Sequence, residues 1–270
     1  RLTTNWGPRS NDNPEKLAKI ADDLVASLRA TNSRVSLQSF FVGGIAFQSV
    51  LSEYGFDSGK GTVVIGAHYD SASGSPGADD NATGVAALLE LNSLFADSPP
   101  PTKVILAFYP LEEIPLSRTS DSGSFIHASQ LRQSKEPVRL MISMESIGYF
   151  SDTEGSQRYP LKPLSWVYPS VGKFLAVVGE ASLSPATVDM KAAFTRATEL
   201  PVESINAPHS LEGISFSDHR SFWMNGFDAV MLTDTAMFRN PNYHRPSDLP
   251  ETVDPGKVAQ VVDGVMEYLA

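Results

Sequence analysis

The sequence contains no cysteine, and this absence removes several kinds of chemistry at once. Without thiols the chain forms no disulfide and has no thiolate nucleophile, so any bound metal must rely on His, Asp or Glu. Basic residues are also few, with 21 Lys and Arg against 31 Asp and Glu and a formal net charge of −10. Binding to a phosphate backbone needs clustered Lys and Arg. Nucleic acid is therefore not an expected partner.

Long apolar runs are also missing, because no segment approaches the roughly eighteen residues that a membrane-spanning helix needs. We therefore expect no membrane span. The sequence opens at Arg1 with neither Met nor an apolar signal segment. A removed export signal would explain this start, as would a trimmed chain, and our expectation is an exported, periplasmic or extracellular protein.

Apolar residues make up 41% of the 270 residues, which is enough for the core of one domain spanning residues 1–270. Strand-like and helix-like segments alternate, and this predicts an α/β fold with a mixed, mostly parallel central sheet and helices on both faces. After an N-terminal helix over 14–29 and a hairpin over 35–51, the predicted strands are 62–67, 103–109, 139–145 and 228–233, and the predicted helices are 85–95, 124–132 and 256–269. Segment 172–181 continues the alternation, whereas 161–169 and 201–217 are predicted to be long irregular loops.

Five segments carry a possible metal-binding side chain at the end of an apolar run or in a short turn or loop. Open α/β sheets gather their reactive groups at the carboxyl ends of the strands, so we expect these side chains to converge. Imidazoles together with carboxylates are the ligands of hydrolytic zinc sites. The candidates are His68, Asp79 or Asp80, Glu112 or Glu113, Glu145 and His244.

Each segment also has an ordinary explanation when it is taken alone. Asp79 and Asp80 fit an acidic turn before a helix, and loop histidines need no metal. Glu112 and Glu113 are harder to explain, because adjacent buried carboxylates need a metal or a shared proton to balance their charge. This favours one of the pair as a ligand and its neighbour as the proton acceptor. The residues alone decide neither this division nor the choice between Asp79 and Asp80.

Five blocks in this order resemble the co-catalytic zinc exopeptidases, a family that includes secreted bacterial aminopeptidases, glutamate carboxypeptidases and glutaminyl cyclases. The blocks are GAHYDS, PGADDNATG, LEE, SMESIGY and NYHRPSDLPETVD, and the similarity extends from about Asn13 to the terminal helix. The resemblance implies the zinc exopeptidase fold and two zinc ions, with one ion as the alternative. The ligands that it implies are His68, Asp80, Glu113, Glu145 and His244.

The resemblance further implies how the work is divided among these residues. Asp80 would bridge the two ions, and the Asp80–Asn81 peptide would be cis. Glu112 would be the general base that takes a proton from the attacking water and returns it to the leaving amine. Of the remaining ligands, one ion would take His68 and Glu145, and the other would take Glu113 and His244.

The chain departs from the simplest family pattern in two places. Glu145 stands where the aminopeptidases usually carry Asp, and segment 114–122 separates Glu113 from the next helix, where relatives connect more directly. We expect this segment to rim the substrate pocket. Its Arg118 would then meet an acidic or carboxyl-terminal group of a substrate.

Other polar residues near these blocks have less certain assignments. Asp70, two residues beyond His68 on the same side of an extended chain, is expected to accept a hydrogen bond from the imidazole and orient it. His219 lies in a segment that resembles one near the family's site, where it would either bind the oxyanion or substrate or begin a helix structurally. Tyr243 adjoins the candidate ligand loop and is expected to contact substrate. His127 and His209 match no catalytic position and are predicted to be structural.

The leading functional interpretation is a zinc-dependent aminopeptidase that acts on peptide substrates. A glutaminyl cyclase or a carboxypeptidase on the same fold is the alternative, and a single tightly bound zinc would favour the cyclase. A catalytically silent receptor or binding domain is the third reading, since fold alone does not imply function. Such a domain would be expected to have lost ligands or the base, which this chain retains. The sequence gives no indication of the oligomeric state.

Overall fold

Eight strands form one mixed sheet in the computed structural model, which describes residues 2–31, 33–181 and 184–270. Their order across the sheet is β1-β2-β4-β3-β5-β8-β6-β7. The four central strands β4, β3, β5 and β8 are parallel. The two strands that flank this group, β2 and β6, run antiparallel to β4 and β8, respectively. The strands are β1 (Arg34–Val42), β2 (Ile45–Tyr54), β3 (Thr62–His68), β4 (Val104–Tyr109), β5 (Val138–Glu145), β6 (Leu175–Glu180), β7 (Val202–Ala207) and β8 (Ala229–Thr233).

Six α-helices lie within the described residues and cover both faces of the sheet. They are α1 (Pro14–Leu28), α2 (Gly84–Asp97), α3 (Gly123–Gln133), α4 (Ser184–Ala197), α5 (His219–Met224) and α6 (Pro255–Leu269). Helices α1, α2, α4 and α6 pack on one face, and α3 and α5 pack on the other. The predicted single α/β domain with a mixed, mostly parallel sheet is confirmed. No helix in the described part of the chain is long and apolar enough to cross a lipid bilayer.

The central strands are apolar on both sides because both faces are covered. In β3, Val63 and Ile65 belong to the core under α1, α2 and α6, while Val64 belongs to the core under α3 and α5. This alternation follows from the two-residue repeat of a strand. Continuous apolar runs therefore mark the four parallel strands whose ends build the site.

The helix boundaries follow local capping signals. The Asn13 side chain accepts a hydrogen bond from the Lys16 amide at 3.0 Å, and Pro14 occupies the first helical position of α1. The Asp254 side chain accepts a bond from the Lys257 amide at 3.1 Å in the same way at the start of α6. Both helices were predicted to within a few residues.

The prediction was wrong in one region of the C-terminal half. Segment 201–217 was expected to be irregular, but Val202–Ala207 forms the edge strand β7. The four central residues of β7 are only half-buried, so no apolar run marks the strand. The element predicted at 172–181 is strand β6, and helix α4 follows it without having been predicted.

Candidate active site

The carboxyl ends of three neighbouring parallel strands bring candidate side chains together. His68 is the last residue of β3, Glu145 is the last residue of β5, and Glu112 and Glu113 follow the end of β4 at Tyr109. β3 lies between β4 and β5, and all three strands run in the same direction. Their ends therefore meet at one edge of the sheet, as expected for an open α/β fold.

The turn between β3 and α2 delivers Asp80 to the same place and keeps Asp79 out of it. Asp79 accepts hydrogen bonds from the Gly148 amide at 2.9 Å and from the Asn240 side chain at 2.7 Å. Asp80 instead points at the two imidazoles. The Asp80–Asn81 peptide is cis, as the resemblance implied.

The convergent atoms lie within a few ångströms of one another. The His68 Nε2 atom is 3.2 Å from Asp80 Oδ1 and 3.1 Å from Glu145 Oε2. The His244 Nε2 atom is 3.0 Å from Asp80 Oδ2 and 3.3 Å from Glu113 Oε2. Asp80 therefore contributes one carboxylate oxygen to each of two groups, which we call the His68 triad (His68, Asp80, Glu145) and the His244 triad (Asp80, Glu113, His244).

Both triads have the composition and spacing that a cation requires. Within each triad, one potential ligand atom from every residue lies within 4.8 Å of the others. Among the described residues, the buried Asp80 Oδ1 and Glu113 Oε1 atoms accept no hydrogen bond of regular geometry, although the His68 imidazole lies close to the first. Buried carboxylate oxygens without a partner are costly, and a divalent cation would satisfy them. Nitrogen and oxygen ligands of this kind suit zinc.

Glu145 reaches the His68 triad in spite of its longer side chain. The Ser217 hydroxyl donates to its Oε2 atom at 2.8 Å, and the Ser146 hydroxyl donates to its Oε1 atom at 3.0 Å. These two hydroxyls fix the carboxylate that stands where an Asp was the usual family residue. Ser217 was not among the predicted site residues, although it lies in the same segment as His219.

Glu112 and Glu113 are held by a shared acceptor. The Asp70 carboxylate accepts hydrogen bonds from the Glu112 amide at 3.3 Å and from the Glu113 amide at 3.1 Å. The same carboxylate lies 3.4 Å from His68 Nδ1. The Asp70 backbone carbonyl lies 3.2 Å from the same ring nitrogen, so Asp70 lies beside the imidazole, and its carboxylate also fixes the backbone that presents both glutamates.

The two adjacent glutamates face the cluster differently. Glu113 is buried and belongs to the His244 triad, whereas Glu112 is half-buried, with its Oε2 atom 3.9 Å from His68 Nε2. Glu112 is therefore close to the candidate metal ligands without belonging to either triad. This geometry leaves its carboxylate available to a water or a substrate.

Three residues beside the cluster adopt a left-handed backbone without being glycine. The φ angles are 67° for Leu111, 47° for Ser146 and 56° for His244. Such conformations cost on the order of 1–3 kcal/mol each and persist where the surroundings fix them. They turn the chain sharply at the positions where the candidate ligands leave the strands and the loop.

Burial and mutual contact perturb the proton equilibria of the cluster. Burial raises the pKa of Glu113 to about 8, and the neighbouring Asp80 carboxylate adds to the shift. Burial lowers the pKa of the His244 imidazole, but its contacts with Asp80 and Glu113 outweigh this and raise the pKa to about 9. Burial also raises the pKa of Glu112 well above its usual range. Such shifts are typical of functional sites.

The outlying candidates have different surroundings. The buried His219 ring donates through Nε2 to the Ile214 carbonyl at 2.7 Å and meets Trp223 edge-on, so its geometry is that of a packing residue rather than an oxyanion donor. His127 and Tyr109 share a buried hydrogen bond of 2.8 Å away from both triads. The Tyr243 ring stacks on the His244 ring at 3.9 Å between centroids.

An apolar cavity opens beside the cluster, with Glu145 and Tyr243 in its wall. Its volume is about 810 Å³ when the open mouth is included. Arg118 is exposed, and its guanidinium carbon lies 4.6 Å from the centre of the Phe216 ring, which also lines the cavity. Through this contact the inserted segment 114–122 reaches the rim of the cavity. Apolar side chains that line the cavity include Phe174, Ala176, Val178, Ile205, Ile214 and Met231.

Asp248 is a part of the site that sequence reasoning missed. Its two carboxylate oxygens accept hydrogen bonds from the Asp79 amide at 2.9 Å and the Asp80 amide at 3.2 Å. This contact fixes the turn that carries Asp80. The only available signal was the position of Asp248 in the last sequence block, since nothing in its residue type distinguishes it from a surface acid.

The mixed sheet and the groups at its edge define a zinc-peptidase-like fold. A family model described as "Peptidase family M28" matches residues 50–269, and the chain belongs to this family. The resemblance to co-catalytic zinc exopeptidases is therefore confirmed. The family membership assigns the chain to the peptidases and thus to the hydrolases.

Two relatives illustrate the range of similarity. The chain is 42% identical to a protein of Escherichia coli (strain K12) described as "Uncharacterized protein YfbL", over 99% of this chain and 84% of that protein. It is 26% identical to a "Probable leucine aminopeptidase" of Arthroderma otae, over 77% of this chain and 54% of that protein. The chain thus spans about half the length of this aminopeptidase.

Solved structures share the fold at low sequence identity. The LapA aminopeptidase of Legionella pneumophila superposes with a TM-score of 0.74 at 17% identity, covering 99% of this chain and 68% of that one. A glutaminyl cyclase of Bacteroides thetaiotaomicron superposes with a TM-score of 0.73 at 16% identity, covering 99% of this chain and 93% of that one. At these identities the likeness concerns the fold alone.

Proposed function

We propose that the chain is a zinc-dependent aminopeptidase that hydrolyses the N-terminal bond of peptides. The observation that carries this proposal is the pair of triads that share Asp80, with Glu112 beside them. A bridging carboxylate and a neighbouring carboxylate outside both triads are the parts that two-metal hydrolysis needs. Family membership supports peptide-bond hydrolysis as the reaction class.

The triads support a ligand set for each ion in this proposal. His68, Asp80 and Glu145 would hold one zinc ion, and Asp80, Glu113 and His244 would hold the other. When bound, zinc would acidify water and polarise the substrate carbonyl. Asp70 and the two serine hydroxyls on Glu145 would keep the ligands oriented.

Glu112 has the part of general acid and base in this proposal. Its Oε2 atom faces the cluster, and it would accept a proton from the attacking water and then return it to the leaving amine. Burial raises the pKa of Glu112, which favours proton uptake by this carboxylate. Because the Glu112 amide is tied to Asp70, the side chain starts from a fixed backbone.

The side chains that line the cavity favour the amino end of a peptide. The mostly apolar lining of the cavity suits an apolar side chain of the first residue. Glu203 and Glu212, which belong to neither triad, also line the cavity, and such acidic side chains attract an ammonium group and disfavour a carboxylate. Arg158 is the one cation among the described lining residues, and its Nη2 atom already donates to the Met237 carbonyl at 2.8 Å.

Metal analysis combined with a substrate screen tests the proposal. We expect two zinc ions per purified chain, cleavage of leucyl and phenylalanyl substrates in preference to glutamyl ones, and loss of activity in chelator with recovery on adding zinc or cobalt. One zinc with cyclisation of N-terminal glutamine would instead identify a glutaminyl cyclase. Release of C-terminal residues, or of glutamate from acyl-glutamates, would identify a carboxypeptidase. A chain that binds no metal and cleaves nothing would be a silent binding domain.

Replacing Arg118 distinguishes the aminopeptidase hypothesis from the carboxypeptidase hypothesis. In an aminopeptidase its exposed guanidinium serves only the cavity rim, so Arg118→Ala should retain most of the cleavage of leucyl substrates. Arg132→Ala provides the control, because Arg132 lies on α3 and bonds the Asn225 carbonyl away from the cavity. A large rise in KM for Arg118→Ala alone, restricted to substrates with a free carboxylate, would support the carboxypeptidase.

A further inference from the structure

Arg9 is a fully buried cation in the N-terminal segment, far ahead of residues 50–269 that match the family model. It is among the largest fully buried side chains of the described residues. Charged side chains are almost never fully buried unless they are paired. The position of Arg9 therefore requires a physical reason.

The guanidinium of Arg9 bonds three backbone carbonyls of one loop. Nε donates to the Tyr69 carbonyl at 2.8 Å, Nη1 donates to the Pro76 carbonyl at 2.5 Å, and Nη2 donates to the Gly77 carbonyl at 3.0 Å. The Arg9 amide also donates to the Ser71 hydroxyl at 2.9 Å. The side chain thus joins the beginning and the end of the loop over residues 69–77.

This loop connects two candidate zinc ligands. His68 immediately precedes Tyr69, and Gly77 lies three residues before Asp80. Gly77 has a left-handed φ of 60°, and a Cβ atom there would lie 2.8 Å from Arg9 Nη2. Glycine therefore allows both the turn and the close approach of the guanidinium. Arg9 sets the separation between the strand end at His68 and the turn at Asp80.

The charge of Arg9 has no direct counter-ion. Within the described ranges, no carboxylate oxygen comes within ion-pair distance of its guanidinium. The carboxylates that act on it electrostatically are Asp70, Asp80, Asp248 and Glu113. A buried cation bonded only to carbonyls is expensive. The electrostatic attraction of the nearby carboxylates offsets part of this cost.

We infer that Arg9 is a positioning residue of the metal centre. It fixes the loop between His68 and Asp80 so that the His68 triad is formed before a cation binds, and its buried charge offsets the carboxylates. This inference rests on the proposed function, because it needs a metal at the triads. A role as an N-terminal anchor alone would affect folding stability but not the metal affinity of the folded chain.

Three variants of the full chain separate these roles. Arg9→Met removes both charge and hydrogen bonds, and Arg9→Lys keeps the charge but loses the three-way contact. Leu24→Ala is the matched control, because Leu24 is a buried residue of α1 that belongs to the helix-side core and not to the loop. Truncating such a leucine costs roughly 2–5 kcal/mol of stability.

The readouts are zinc affinity by competition with a chelator, the visible absorption spectrum of the cobalt-loaded chain, and thermal unfolding of the metal-free chain. We expect Arg9→Met to lower zinc affinity roughly 10–100-fold and to alter the cobalt spectrum, as loss of a ligand-orienting contact does. Arg9→Lys should fall between Arg9→Met and the wild type. Leu24→Ala should unfold at a lower temperature yet bind zinc as the wild type does.

Two outcomes would overturn the inference. One is wild-type zinc affinity in folded Arg9→Met, or in Arg9→Lys if the Met variant does not fold. The other is an equal loss of affinity in Leu24→Ala. A wild-type chain that binds no zinc would instead refute the proposed function, so the two failures are distinguishable.

Discussion

Two adjacent glutamates occupy different positions relative to the candidate metal ligands. Glu113 lies 3.3 Å from His244 Nε2 inside a triad, while Glu112 lies 3.9 Å from His68 Nε2 outside both. One backbone step therefore separates a candidate ligand from a candidate base. The Asp70 carboxylate enforces this arrangement by accepting both amides.

Replacing Glu112 by Gln should preserve metal binding and remove most turnover. The amide has nearly the same shape but cannot accept a proton, so we expect kcat to fall by roughly 10²–10⁴ with unchanged zinc content. The measurements are steady-state kinetics and metal analysis of the zinc-loaded variant. Glu113→Gln is the contrast variant, since it should lose zinc affinity first. Full activity of metal-replete Glu112→Gln would remove Glu112 from the mechanism.

Sequence patterns identified the converging side chains better than the residues that hold them. His68 and Glu145 end apolar strands, so the strand-end rule and their residue types were sufficient to predict that they meet. Arg9, Ser217 and Asp248 act through hydrogen bonds to carbonyls, carboxylates or amides of distant segments. Such contacts leave no pattern in the sequence, because they depend on which backbone groups the fold brings near.

At the scale of elements, the same limitation explains the unpredicted strand β7. The central strands are buried on both faces and read as apolar runs, whereas the middle of β7 is half-buried and polar. Its pairing with β6 creates part of the cavity wall through Ile205. The elements that shape the cavity are thus less visible in the sequence than those that carry the candidate ligands.

The contact between α4 and α6 depends on a glycine. A Cβ atom at Gly264 would lie 2.4 Å from the ring of Phe194, which is fully buried and cannot move away cheaply. Alanine favours a helix by about 1 kcal/mol, but overpacking costs about 1–3 kcal/mol, so we expect Gly264→Ala to destabilise the chain. Urea unfolding measures the difference. Gly256→Ala in the first turn of the same helix, where the nearest atom is 3.2 Å away, should change stability little.

Helices α3 and α5 each bury a histidine in the neutral form. Burial lowers the pKa of His127 to about 4 and that of His219 to about 4, compared with an ordinary value of 6.5. The unfolded chain therefore binds protons that the folded chain does not as the pH falls from about 6.5 to 4. These two groups therefore leave the free energy of unfolding at its full value above about pH 6.5. As the pH falls to 4, that free energy decreases by up to roughly 3 kcal/mol per histidine.

Unfolding free energies across this pH range test the argument. His127→Gln and His219→Gln should each flatten the loss of stability between pH 6.5 and 4 relative to the wild type, even if both are less stable at pH 7. Taking the difference from the wild type cancels the titration of the carboxylates in the cluster. His209→Gln is the control for His127→Gln, because His209 is partly exposed beside Glu180. Parallel curves for His127→Gln and the wild type would contradict the buried neutral state.

At the scale of the whole molecule, the candidate ligands come from segments that only the folded chain brings together. The His68 triad joins β3, the turn before α2 and β5, and the His244 triad adds the segment after β4 and a loop near the C-terminal helix. In the unfolded chain these residues are separated by up to 176 positions, from His68 to His244. A cation that binds both triads therefore binds the native state almost exclusively, and its binding free energy adds to the stability of the entire sheet.

Zinc should accordingly raise the unfolding temperature of the chain in a concentration-dependent way. Zinc at about 100 times its dissociation constant adds about 2.7 kcal/mol, and at about 1,000 times it adds about 4.1 kcal/mol, which corresponds to roughly 5–15 °C in a domain of this size. Differential scanning calorimetry across a zinc series measures this. Glu112→Gln should show the full shift because Glu112 lies outside both triads, and Glu113→Gln should show a smaller one. An unfolding temperature that changes with neither zinc nor chelator would mean that these residues do not form a metal site, because a cation that binds only the native state always raises its stability.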